Sequence, residues 1–238
     1  MKFIYSHCLP LFLCFNLFIQ TCNAALIDTV EVVSPSMSKS IPVLVVLPDS
    51  HAVSSKKFPV LYLLHGHSGN FRGWLEIAGN LKSWSDKYQM IIVCPDGDLD
   101  SWYLNSPVQK NRKYETFISS ELINYIDSKY HSLRDKDSRG ISGVSMGGHG
   151  AMSLSLKHPD VFGLVGSSSG VLDLMTFSGF WNLQTLLGQL PANKELWKKY
   201  SSSQLLDQIK TTNQKFWIDC GTEDFLIDVN RKFHQKLL

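Results

Sequence analysis

Residues 141–151 read "ISGVSMGGHGA", with Gly143, Gly147, Gly148 and Gly150 set around one hydroxyl, that of Ser145. Each glycine costs backbone entropy on folding, so the cluster predicts a place where the main chain must turn sharply or pack closely. The stretch joins an apolar-to-small run, "GISGVS", to "MGGHGAMSLSLK", which reads as a helix start. A strand turning directly into a helix lifts the residue at the turn out at the carboxyl edge of the sheet. There the helix aims its first N–H groups at any negative charge that develops. Gly143-Val144-Ser145-Met146-Gly147 has the G-x-S-x-G form of a nucleophile elbow, in the strand-before, helix-after context that the pattern requires.

Outward from the elbow, the chain alternates in type. "DTVEVVSP" and "SIPVLVVLP" are β-branched and read as strands, the second with Pro42 in the manner of a sheet edge. "PVLYLLHG" and "MIIVCPDG" are short apolar runs ending at glycine turns, and "RGISGVS", "FGLVGSSSG" and "FWIDCGTED" follow. Such runs suit parallel strands covered on both faces. Between them, Trp74, Ala78, Leu81 and Trp84 mark one helix face from Trp74 to Tyr88. Ile118, Leu122, Ile126 and Tyr130 mark another from Glu115 to Tyr130. Strand and helix in alternation predict an α/β fold with a mainly parallel, twisted sheet flanked by helices. Residues 171–215 break the rhythm as a long excursion with Trp181 and Trp197, read either as a cap over a site or as extra helical packing.

The 238 residues are 44% hydrophobic and 18% charged, with a formal net charge of +2, a composition suited to one core and one domain. With no Lys/Arg block, nothing favours nucleic acid or an anionic membrane as partner. The first 24 residues, "MKFIYSHCLPLFLCFNLFIQTCNA", have Lys2, an apolar stretch interrupted by Pro10, and small residues before Ala25. This layout predicts a signal peptide cut after Ala24, with lipoprotein processing at Cys22 as the lesser alternative. The run is short of the ~20 residues a membrane span needs. Cleavage would leave residues 25–238, with no membrane span and a formal charge of +1, exported to the periplasm or beyond. Cys94 and Cys220 would be its only cysteines, both read as free, buried strand positions.

Taken in order, "PVLYLLHGHSGN", "PDGDLDSWYLNSP", "GVSMGGHGAM", "HPDVFG", "GSSSG" and "CGTEDFL" resemble the esterase family of α/β-hydrolases. That family includes S-formylglutathione hydrolases, tributyrin and feruloyl esterases and mycolyltransferases. The likeness runs from about Val30 to the last residue and implies a Ser-Asp-His triad for acyl transfer to water, without a cofactor or metal. By this resemblance Ser145 corresponds to the nucleophile and Asp224 to the acid that orients the histidine, with Asp219 and Glu223 weaker candidates. The backbone N–H groups of His67 and Met146 correspond to the oxyanion hole. Trp102 and Tyr103 correspond to acyl-pocket residues, with core aromatics the equal alternative. His149 is read as a packing residue, as are the imidazoles of His65 and His67. Asp96, Asp98 and Asp100 alternate as calcium ligands do, but the EF-hand glycine and glutamate are missing, so a solvated acidic loop is expected.

The chain departs from the family pattern at its end. After Asp224 come 14 residues with one histidine, His234, on an expected helix whose apolar face is Val229, Phe233 and Leu237. The family's histidine follows a further strand, so the chain is expected to be cut short before the triad histidine, lacking the last strand and helix. The implied function is an exported serine carboxylesterase acting on short-chain or aromatic acyl esters, free or linked to polysaccharide, and impaired by that loss. The alternatives are an inactive relic that binds ester or carbohydrate, and an acyltransferase of the same fold.

Overall fold

The computed structural model describes residues 27–207 and 213–238. The expected signal peptide and Cys22 lie outside the described residues, as do residues 208–212 of the excursion. Seven strands form one sheet: β1 (Ile27–Ser34), β2 (Lys39–Val46), β3 (Val60–Leu64), β4 (Ile91–Pro95), β5 (Arg139–Gly143), β6 (Leu164–Ser168) and β7 (Lys215–Asp219). Their order is β1-β2-β4-β3-β5-β6-β7; β1/β2 and β2/β4 are antiparallel and every later pair is parallel. This is the mostly parallel, helix-flanked α/β sheet that the sequence predicts. Val43, Val45, Tyr62, Leu64, Ile91, Val93 and Ile141, all wholly or almost wholly buried, carry its core.

Three local expectations change. Pro42 is not on an edge strand, because β1 covers that side of β2. Its carbonyl accepts from the Asp96 amide at 3.0 Å, and the β2–β4 ladder begins only at Val43, so the missing N–H falls where that pairing ends. The helix expected from Trp74 to Tyr88 is two, α1 (Gly73–Ala78) and α2 (Leu81–Tyr88). Gly79 takes a left-handed φ of 57° and closes the first, and the change of direction leaves Trp84 exposed. The third concerns β7, which is the outer strand and is not covered on both faces. Trp217 is 71% exposed, and a cavity of about 540 Å³ runs across Val60, Ile141, Leu164, Phe216 and Trp217. Cys220 lies just past β7 and is half-buried, whereas Cys94 is buried within β4; both are free.

Between β4 and β5, α3 (Tyr114–Thr116) passes through a π-wound turn (Phe117–Glu121) into α4 (Leu122–Lys129). This places Ile118, Leu122 and Ile126 at zero exposure, the face the spacing predicts. α5 (Met146–Lys157) follows β5 and packs on it and on β6. The excursion holds a 3₁₀ turn (Leu174–Phe177), α6 (Leu183–Leu187), α7 (Lys194–Tyr200) and α8 (Ser202–Leu206); α9 (Ile227–Leu237) closes the described chain. Much of the excursion is core. Leu172, Leu174, Leu183, Leu186, Leu187 and Trp197 have no exposure. The Ser106 hydroxyl donates to the Leu186 carbonyl at 2.8 Å and the Tyr200 hydroxyl to the Asn105 carbonyl at 2.6 Å. Extra packing therefore describes these residues, and the large apolar side chain that the described excursion leaves exposed is Phe180, beside half-buried Phe177 and Trp181.

Candidate active site

The elbow is built from backbone close approach. β5 lies between β3 and β6, and at its carboxyl end the Val144 amide donates to the Leu64 carbonyl at 3.3 Å. The Ser145 amide donates to the Ser168 carbonyl at 3.0 Å. A Cβ on Gly147 would overlap the Leu64 carbonyl oxygen and come within 2.7 Å of that of His65. One on Gly143 would overlap the Gly147 carbonyl group and stand 2.8 Å from the Leu64 oxygen. Both glycines are required because backbone occupies the space a side chain would need.

Between them Ser145 adopts φ 56°, ψ −115°, outside the regions an L-residue prefers, at a cost of order 1–3 kcal/mol. Its carbonyl is already the first acceptor of α5, taking the His149 amide at 3.0 Å, while its side chain is half-buried. Among the described residues the Ser145 hydroxyl has no hydrogen-bond partner.

The turn after β3 packs against this serine, since a Cβ on Gly66 would be 3.5 Å from that of Ser145. The turn is held rigidly. The Gly97 amide can only donate, so it fixes His65 Nε2 as the acceptor, at 2.7 Å. The ring proton then sits on Nδ1 and donates to the Gly66 carbonyl at 2.8 Å. Burial lowers the His65 pKa and keeps the ring neutral. The Ser68 amide donates to Leu99 and the Gly69 amide to Gly66. Within this network the amides of His67 and Met146 find no acceptor among the described residues. The His67 ring shares a hydrogen bond with the neighbouring Ser68 hydroxyl, Nδ1 to Oγ at 2.9 Å.

Trp102 and Tyr103 are each 1% exposed and pack closely against their neighbours. The Tyr103 ring fills the space that a Cβ on Gly97 or Gly150 would take, and its hydroxyl donates to the His65 carbonyl at 3.1 Å. Trp102 packs on His149 and Trp181, with centroids 5.8 and 5.6 Å away. The acidic loop is less solvated than expected, since Arg112 bridges Asp98 at 3.3 Å and Asp100 at 2.6 Å. Asp96 accepts from the Asp98 amide.

Asp224 is half-buried in the loop after β7, where its Oδ1 accepts from the Leu226 amide at 2.9 Å. Asp219, at the end of β7, is exposed and takes the Ser168 hydroxyl and Trp217 Nε1 on one oxygen; Glu223 is exposed. The described histidines are engaged or placed elsewhere. His51 and His131 stack at 4.9 Å, His158 meets Glu115, and His234 is exposed on α9. None donates to or accepts from Ser145.

His149 is wholly buried on α5, with Nδ1 3.4 Å from the Ser202 hydroxyl, and burial pushes its pKa down to about 3. Because the folded pKa lies below the unfolded value near 6.5, the unfolded chain binds the extra proton between them. The stabilising contribution is complete above about pH 6.5 and is lost as pH falls toward 3. Unfolding free energy should therefore fall by about 1.4 kcal/mol per pH unit across that window from this residue. Urea midpoints at pH 7, 6, 5 and 4 should show a shallower slope in His149→Leu than in the unaltered chain.

Comparison with known proteins fits this architecture. The family model described as "Putative esterase" matches residues 34–235. An acetyl esterase of Caldicellulosiruptor saccharolyticus is 27% identical over 224 residues, covering 83% of this chain and 80% of that protein. A diacylglycerol acyltransferase/mycolyltransferase of Mycobacterium leprae is 28% identical over 214 residues, covering 82% of this chain but 62% of its own length. Among solved structures, a ferulic acid esterase superposes with a TM-score of 0.74 at 28% identity, over 90% of this chain and 85% of the other.

Proposed function

The chain belongs to the esterase family of α/β-hydrolases, and from that membership we propose that it is an exported serine carboxylesterase for short-chain or aromatic acyl esters, including those carried by polysaccharides. The observation that carries this reading is Ser145, a non-glycine residue held at φ 56° where a strand becomes a helix, with two unpaired amides in the adjoining turns.

In this reading Ser145 Oγ bonds to the ester carbonyl carbon, and the carbonyl oxygen becomes an oxyanion received by the His67 and Met146 N–H groups. Donors placed in advance for that charge are worth about 3 kcal/mol each. Collapse breaks the bond to the alcohol, which leaves with the serine proton. Water then cleaves the acyl-serine and returns the proton to Oγ, releasing the acid. Asp224 would orient an imidazole serving as the base.

A second reading is favoured by one observation, that no described imidazole meets the Ser145 hydroxyl. Without such a base the serine stays protonated and weakly nucleophilic, and losing the histidine of a serine triad costs about 10⁶ in kcat. We therefore propose that turnover by these 238 residues is impaired, the limit being a protein that binds acylated ligands without releasing product. A fluorophosphonate separates the readings. Stoichiometric labelling at Ser145 supports the esterase apparatus, and a protein that resists labelling while binding acylated sugar saturably is the relic. An added alcohol that competes with water for the acyl group would instead mark an acyltransferase.

A further inference from the structure

Exposed aromatic rings are usually scattered, yet here two of them, Phe180 and Phe225, touch two half-buried ones, Phe177 and Trp181. Phe177 lies 5.5 Å from Trp181, 6.2 Å from Phe180 and 6.3 Å from Phe225, and Trp181 lies 5.7 and 6.3 Å from Phe180 and Phe225. Phe180 is 59% and Phe225 70% exposed. The rings come from two distant parts of the chain, the start of the excursion and the loop after β7. Phe225 directly follows Asp224, and Trp181 leans on Trp102. A contiguous apolar patch with a polar border is the usual mark of a binding groove.

Two of these rings, Phe177 and Phe225, also line a hollow of about 390 Å³ between the Leu174–Phe177 turn and α9. That volume is within the range of small-molecule sites, roughly 300–1,000 Å³. The lining is not that of a dry acyl slot. Thr176, Asp228 and Lys232 border the hollow, and their side chains have no partner among the described residues. By contrast, Asp173 is occupied by the Met175 amide and the Ser201 hydroxyl, and Lys236 by Asp207 and the Ser203 carbonyl. Flat rings beside free donors and acceptors match a pyranose, which presents a face of C–H groups and a rim of hydroxyls.

We propose that this hollow holds the saccharide of an acylated oligosaccharide, the alcohol side of the ester, with the sugar stacked on Phe225 and Phe177 and its hydroxyls met by Thr176, Asp228 and Lys232. The proposal rests on the esterase reading for its orientation, since the loop that carries Phe225 also carries Asp224. Binding itself needs no catalysis.

The test is a titration of xylotetraose into the full chain, read by tryptophan emission, because Trp181 touches three of the rings. A saturable change is expected, with affinity at least tenfold weaker in Phe225→Ala and at least threefold weaker in Asp228→Ala; both residues are exposed, so both variants should fold. Equal affinity in the unaltered chain and Phe225→Ala, or no change on titration, overturns the proposal. So does displacement of bound xylotetraose by methyl ferulate, which would give the hollow to the acyl group. The two failures are distinct. Ser145 acylated by p-nitrophenyl acetate with xylotetraose unbound removes the saccharide site and keeps the esterase, whereas xylotetraose bound with Ser145 never acylated does the reverse.

Discussion

Ser145→Ala should abolish acyl transfer from p-nitrophenyl acetate to the protein. Mass spectrometry of the unaltered chain should find one acetyl group, on Ser145, and none on the variant. The effect is all-or-none because the hydroxyl at the elbow is the atom that would bond to the acyl carbon, and alanine removes it without altering the backbone hydrogen bonds at 144–147. The kinetics carry a second message. In a working triad the loss of either serine or histidine costs about 10⁶ in kcat, nearly as much as the loss of all three residues, because the groups act as a unit. With no described imidazole at Ser145, steady-state hydrolysis by the unaltered chain should already lie near that lower level, so Ser145→Ala should change it little. A fast unaltered chain whose kcat falls 10⁶-fold in the variant would show that an imidazole reaches the serine, and would end the impaired reading. Acetylation that persists in the variant would end the assignment of Ser145.

Gly147→Ala should be the most destabilising single methyl group in the elbow, at more than about 3 kcal/mol. Its Cβ would meet the carbonyl oxygens of Leu64 and His65, both main-chain atoms in and just beyond β3, and neither can rotate away as a flexible side chain would. Relief requires β3 and α5 to separate, which opens the contact between the 65–69 turn and Ser145. For a domain of this size each kcal/mol corresponds to about 2–4 °C in Tm, so a loss of roughly 6–12 °C or more is expected in a thermal melt. Gly73→Ala is the matched control. Nothing lies within 4 Å of a Cβ there and the residue opens α1, so alanine should stabilise by about 0.5 kcal/mol. Equal behaviour of the two variants would mean that close approach at Gly147 does not hold the elbow together.

Much of the fold was legible before any coordinates. The apolar runs at 60–64 and 91–95 gave strands because continuous hydrophobicity ended by a glycine turn leaves little alternative. The 118–122–126 spacing gave a helix face that the structure buries completely. Where the reading slipped, tertiary context overrode a local rule. Pro42 reads as an edge residue, but strand order is a long-range property, and a ladder that stops one residue away removes the objection to proline inside the sheet. Trp84 keeps helical spacing with Trp74, yet Gly79 turns the chain between them, and a period carries no phase across a left-handed residue. Trp102 and Tyr103 were open between pocket and core because composition does not say which face of a loop a ring takes. Two glycines distant in sequence, Gly97 and Gly150, made the space that Tyr103 fills.

By itself, then, the sequence determined the α/β class, the strand-turn-helix around Ser145 and the family, because hydrophobic period and glycine placement are local properties of the chain. Only the tertiary structure decided that the His67 and Met146 amides are left unpaired beside that serine, that no described imidazole bonds to its hydroxyl, and that Phe177, Phe180, Trp181 and Phe225 form one patch. Each of these depends on segments tens of residues apart coming into contact, and the free energy of such contacts resides in packing and hydrogen bonding that no local pattern encodes.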